Sequence, residues 1–98
     1  MFIMVYVTHE NEEEAQKVVS HLLDKQLIKC ANTFPISADL WWLWKIDKNE
    51  EMVTILKAKK ENWLILKEEI SKIHPYDVPC IIKIEVEANE AYEAWINE

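Results

Sequence analysis

The chain has 98 residues, half of them apolar and 10% aromatic, which is enough for one core and too little for a second domain. Eleven lysines without a single arginine stand against eighteen Asp and Glu, a formal charge of -7 that repels phosphate backbones and anionic lipid, so nucleic-acid and membrane partners are not expected. There is no glycine, which excludes every Gly-rich phosphate loop and dinucleotide fingerprint and leaves no expectation of an organic cofactor.

Phe2 to Thr8 is short, β-branched and nearly continuously apolar, the pattern of a central strand covered on both faces. It lacks the basic start of a signal peptide, and with two sparse cysteines, Cys30 and Cys80, the expected location is the reducing cytoplasm. Asn11 suits a helix cap, three glutamates follow it, and Ala15, Val18, Val19, Leu22 and Leu23 recur at helical spacing, so residues 12 to 25 are predicted to form an amphipathic helix.

From Leu27 the period changes to two, with Cys30, Phe34, Ile36, Ala38, Leu40, Trp42, Trp44 and Ile46 on one parity; this predicts one very long strand, bulged at Pro35. Asp47-Lys48-Asn49-Glu50 is the predicted hairpin turn, because Asn tolerates positive φ best in a chain without glycine. Met52 to Lys59 reads as a strand. Glu61 to His74 reads as a helix with Trp63, Leu66, Ile70 and Ile73 on its buried face and Pro75 closing it. Ile81 to Val86 is a last strand, and Asn89 to Asn97 a terminal helix.

The order is βαββαβ with an added C-terminal helix, an α+β, ferredoxin-like arrangement with expected strand order 4-1-3-2. That order puts the strands of Cys30 and Cys80 at opposite edges, so the two thiols share neither an ion nor a disulfide within one subunit. A projecting strand and an uncovered sheet face call for pairing with other subunits. His21 falls on the polar side of its helix, whereas His74 sits at a helix end, where capping and packing compete with ligation. Leu64 and Ile65 point away from the buried face of their helix, and the run Leu40-Trp41-Trp42-Leu43-Trp44 is apolar on both parities; both features predict a surface for association.

The segments Val5-Tyr6-Val7-Thr8, Leu27-Ile28-Lys29-Cys30-Ala31-Asn32, Trp41-Trp42, Lys45-Ile46, Ile55-Leu56-Lys57-Ala58, His74-Pro75-Tyr76-Asp77-Val78-Pro79, and Tyr92 with Trp95-Ile96 together resemble the CutA divalent-cation-tolerance family from end to end. The resemblance implies a tight homotrimer built through long strands, weak divalent metal binding, often copper, and no catalytic reaction. It makes His74 the candidate metal ligand. The family's second histidine falls here on Ile73 and its early cysteine on Val7, neither of which ligates, while Cys80 stands where many relatives carry Glu. The implied site is therefore His74 with Cys80, for copper or zinc, completed across a subunit boundary.

By the same resemblance Trp42, Lys57 and Tyr76 surround inter-subunit clefts in which a small anion could sit. The family pattern also has a Tyr two residues before the Trp and a Glu-Gly pair after it, against Leu40 and Leu43-Trp44 here, and charged or polar residues at Leu64-Ile65. These departures are all toward apolar. They imply an alternative in which the trimer is a scaffold and Leu43, Trp44, Leu64 and Ile65 dock a second protein into a larger assembly, the surface being natural or introduced by engineering.

Overall fold

A computed structural model describes all residues from Met1 to Glu98. Strand β1 (Phe2–His9) leads into helix α1 (Glu12–Asp24), which starts where expected: Asn11 accepts the Glu14 N–H on its side chain at 2.9 Å. The helix is closed without glycine. Gln26 takes φ 57°, and the Leu27 N–H reaches back to the Leu22 carbonyl at 3.0 Å, a Schellman-type ending in which a side chain bears the left-handed strain that Gly normally avoids.

Strands β2 (Cys30–Trp42) and β3 (Lys45–Ala58) form a hairpin of 13 and 14 residues, followed by a 3₁₀ turn (Lys60–Asn62), α2 (Trp63–Ile73), β4 (Ile81–Val86) and α3 (Glu90–Ile96). The turn is not at Asp47–Glu50 as predicted. Those residues pair across the ladder, Asn49 opposite Ala38 and Asp47 opposite Leu40, and the chain reverses at Leu43-Trp44 with φ of 50° and 68°. Both residues left-handed is the type I′ reversal, one of the two-residue turns whose twist matches the right-handed twist of the strands, so twist and pairing override residue preference here. The predicted long strand is β2, but it ends at Trp42, and its last predicted positions, Trp44 and Ile46, fall in the turn and at the start of β3. Its register runs unbroken from Cys30–Lys57 to Trp42–Lys45, so Pro35 produces no bulge; on an edge strand, proline is tolerated where its nitrogen faces outward.

The sheet is antiparallel with order β2-β3-β1-β4, the expected order. One face buries Ile3, Val5 and Val7 of β1 and Leu56 of β3 against Val18 and Leu22 of α1 and Leu66 and Ile70 of α2. The helices are tied by Glu69, whose carboxylate meets His21 Nε2 at 2.7 Å and Lys25 Nζ at 3.5 Å. His21, expected in solvent, is thus half-buried in a bridge, and that hydrogen bond holds the Glu69 carboxyl below its usual range.

The opposite face is covered at one end only, where α3 lays Tyr92 edge-on against Phe2 and brings its hydroxyl to 3.3 Å from Cys30 Sγ. Beyond that, Phe34, Ile82 and Ile84 remain exposed. The molecule measures 45 × 24 × 21 Å, and its long dimension is the hairpin. Because β1 pairs with β3 only from Met52 to Ala58, the outer half of β3 has an open backbone edge as well as a partner strand.

Candidate functional site

The segment following α2 is bound to the end of β1 through one imidazole. The His74 backbone N–H still donates to Ile70 O at 2.9 Å, and its ring then turns inward. Nδ1 accepts the Tyr76 N–H at 3.2 Å, so Nε2 carries the proton that it donates to the Thr8 carbonyl at 2.7 Å. Both nitrogens are committed. The ring is sandwiched between His9, stacked at 5.3 Å, and the edge of Tyr76 at 4.7 Å.

His9 is the residue that sequence reasoning passed over. It ends β1, is only 1% exposed, and meets Thr54 Oγ1 through Nε2 at 2.8 Å, while its Nδ1 has no hydrogen-bond partner. Burial first, and the neighbouring His74 second, push its pKa from 6.5 down to about 4, against a smaller opposing pull from Glu14. It is therefore neutral at pH 7. The signal was available, because Ile3, Val5, Val7 and His9 share one parity of a strand whose other members on that face are buried.

Tyr76 turns the other way, into a cleft of about 800 Å³ between the outer hairpin and the segment from Tyr76 to Cys80. Its hydroxyl donates to Glu51 Oε2 at 2.6 Å, and burial, followed by that carboxylate, pushes the phenol well above its usual range. Five carboxylates line the cleft, from Glu10, Asp47, Glu50, Glu51 and Asp77, together with Leu40 and the indole of Trp42, and no lysine does. Cys80 lies there too; burial and then the Glu51 charge raise its thiol pKa, a hydrogen bond with Thr8 opposing them. The thiolate that a soft metal requires is thereby disfavoured.

Within one chain the residues singled out from sequence are only partly brought together. Trp42 and Tyr76 share the cleft, but Lys57 pairs with Cys30 at the far end of the hairpin, its Nζ 5.2 Å over the Tyr92 ring. Within one chain the cleft thus has carboxylates and no cation to hold an anion. His74 does not line the cleft that holds Cys80, both its nitrogens are occupied, and no three His, Cys, Asp or Glu side chains of one chain converge to hold a metal. The His74/Cys80 pair is thus not a preformed soft-metal site.

Leu43 and Trp44 are at the hairpin tip, whereas Leu64 and Ile65 begin α2 next to the opposite end of β3. At ~3.3 Å per residue, the 14 residues of β3 separate them by about 43 Å, so they form two surfaces and not one patch.

A four-stranded antiparallel sheet backed by two helices, with a projecting hairpin and an acidic cleft beside a His-Pro-Tyr segment, defines the class: an α+β, ferredoxin-like protein. Residues 3–98 match the family model of the CutA1 divalent ion tolerance protein, and the chain belongs to that family. The divalent-cation tolerance protein CutA of Pyrococcus horikoshii is 46% identical over 97 residues, covering 98% of this chain and 95% of that protein. The structure of the periplasmic divalent cation tolerance protein CutA from Archaeoglobus fulgidus superposes with a TM-score of 0.94 at 34% identity, covering 99% of this chain and 96% of the other. The Thermotoga maritima protein of the same name is 39% identical over 97 residues, 98% of this chain and 96% of its own. No helix is long and apolar enough to cross a membrane.

Proposed function

We propose that the chain works as a non-enzymatic homotrimer of the divalent-cation-tolerance type, taking up divalent cations such as copper or zinc weakly in the carboxylate cleft. The observation that carries this reading is the cleft itself, with five carboxylates and no balancing lysine. Hard oxygen donors attract divalent ions without the soft donor set that tight copper or zinc binding requires. His74 then serves to position Tyr76 and, through it, Glu51, while the remaining ligands come from a neighbouring subunit. Trimer formation is supported by the two open hairpin edges and by the exposed apolar side chains of the uncovered sheet face. We assign the protein to the cytoplasm on its two free thiols.

Calorimetric titration with Zn²⁺ and with Cu²⁺ tests the metal reading. Weak binding that falls several-fold in Glu51→Gln and on raising the salt, and is unchanged in Cys80→Ala, is the expected result. Tight binding abolished by Cys80→Ala would reinstate the thiol as the principal ligand and overturn it. A second reading, the trimer as a scaffold that docks a different protein, natural or engineered, is favoured by the exposure of Leu43 and Trp44 at the tip and of Leu64 and Ile65 on α2. These are separate surfaces, so single substitutions at each end distinguish which one a partner uses.

A further inference from the structure

His9 holds a buried nitrogen that neither the core nor the cleft employs. Its Nε2 meets Thr54 Oγ1, while Nδ1 has no hydrogen-bond partner in a side chain only 1% exposed. A buried N–H without an acceptor is the rarer and costlier way to leave such an atom. The proton therefore belongs on Nε2, donated to Thr54, and Nδ1 keeps a bare lone pair. Burial first, and His74 second, hold the ring pKa at about 4, so at pH 7 no proton occupies that lone pair either. A nitrogen left in this state inside a packed core calls for an explanation.

The register of β1 against β3 supplies a second donor. Met52 stands directly opposite His9, so the two side chains leave the same face of the sheet with Cβ atoms about 5 Å apart. Thr54, Leu56 and Ala58 share the parity of Met52 and are buried, which makes this the helix-packed face and not the apolar one assigned to the trimer. Metal–nitrogen and metal–sulfur bonds run at about 2.0 and 2.3 Å, so an ion between Nδ1 and the thioether Sδ needs them roughly 4 Å apart. The unbranched, flexible Met52 side chain spans that from its position across the ladder. Met52 is half-buried and, with Pro35 opposite it, borders a cavity of about 560 Å³ beside Asn11 and Glu12, which gives an ion its way in past the sulfur.

We propose that His9 Nδ1 and Met52 Sδ together hold one Cu(I) ion per chain. A neutral imidazole and a thioether are a soft donor pair, and thioether sulfur selects Cu(I), whereas Zn²⁺ requires a fuller tetrahedral set. The charge of Glu14 reaches His9 and offsets the single positive charge of such an ion. Both donors belong to one chain, so the site depends neither on the acidic cleft nor on the trimer.

The test is anaerobic titration of the whole chain with Cu(I) against a chromophoric Cu(I) chelator, with Ag⁺ as an air-stable second probe. Met52→Leu keeps the side-chain volume and removes the sulfur, and is expected to weaken binding by at least about tenfold, the loss that even an outer-shell partner causes. Binding is expected to be unchanged in Glu51→Gln, which alters the cleft, and in Cys30→Ala with Cys80→Ala, which removes both thiols. The nitrogen NMR signal of His9 Nδ1 is expected to shift on Ag⁺ addition in the parent and to stay in place in Met52→Leu, a difference that packing alone would not produce. Equal affinity in the parent and Met52→Leu overturns the site, as does binding that disappears with the thiols. No movement of the His9 signal at saturating Ag⁺ overturns it too, while Zn²⁺ uptake that falls in Glu51→Gln would leave the cleft reading intact.

Discussion

Lowering the pH from 7 to 4.5 tests the buried His9. Its ring is sealed against His74 and Thr54, and the folded state holds its pKa at about 4 against 6.5 when exposed. The folded pKa lies below the unfolded one, so between these values the unfolded chain binds a proton that the folded chain refuses. The resulting stabilisation is fully present above pH 6.5 and is lost as the pH falls toward 4. At 1.36 kcal/mol per pK unit the whole displacement is worth about 3 kcal/mol, of which about 2.4 kcal/mol is lost between pH 7 and 4.5. Urea unfolding followed by tryptophan fluorescence, at one fixed protomer concentration, gives the stability of the parent and of His9→Gln at each pH. The parent is expected to lose about 2 kcal/mol more than the variant over that range, because Gln keeps a partner for Thr54 and does not titrate. Parallel pH profiles for the two proteins would refute the assignment of the acid sensitivity to His9.

Three further outcomes follow from the packing and the backbone. Leu43→Asn with Trp44→Gly relieves two left-handed positions and should raise chain stability by about 2 kcal/mol, read as a higher urea midpoint for dilute protein; a lower midpoint contradicts the strain assigned to the turn. Tyr76→Phe removes the 2.6 Å bond to Glu51 and should cost about 1–2 kcal/mol, with amide exchange rising in residues 75–80 and unchanged in β1 if the bond acts as a local latch. Asn11→Ala removes the cap on α1 and should cost about 1 kcal/mol, seen in thermal unfolding; a neutral result would mean that the sheet and not the cap sets the start of α1.

What was legible in the sequence was whatever a periodicity encodes. The helical spacing of Val18, Val19 and Leu22 and of Leu66 and Ile70, and the alternation of Ile3, Val5 and Val7, placed the core because each pattern has one buried face. The capping of α1 was legible for the same local reason, since Asn11 reaches an amide three residues away. The hairpin turn was not. Asn49 looks like the turn residue by its own preference, but the ladder carries it opposite Ala38, and the reversal falls on two bulky residues that disfavour it. Local preference is worth about 1 kcal/mol per residue, less than the pairing of a dozen residues on each arm that a shifted turn would break.

The site was legible as a segment and not as a geometry. Tyr76, Asp77 and Val78 of the His74-to-Pro79 motif line the cleft, but which way each ring turns depends on partners far away in the chain. His74 turns inward because Thr8 O and His9 wait there, and Tyr76 outward because Glu51 does. Lys57 and Trp42 were grouped by the family resemblance, around clefts between subunits, and within one chain the extended hairpin carries them to its opposite ends. The same length separates Trp44 from Leu64. A strand converts the twelve residues from Lys45, opposite Trp42, to Lys57 into about 40 Å, where a helix would give less than half of that. The hairpin therefore explains why an apolar pattern that reads as one surface becomes two.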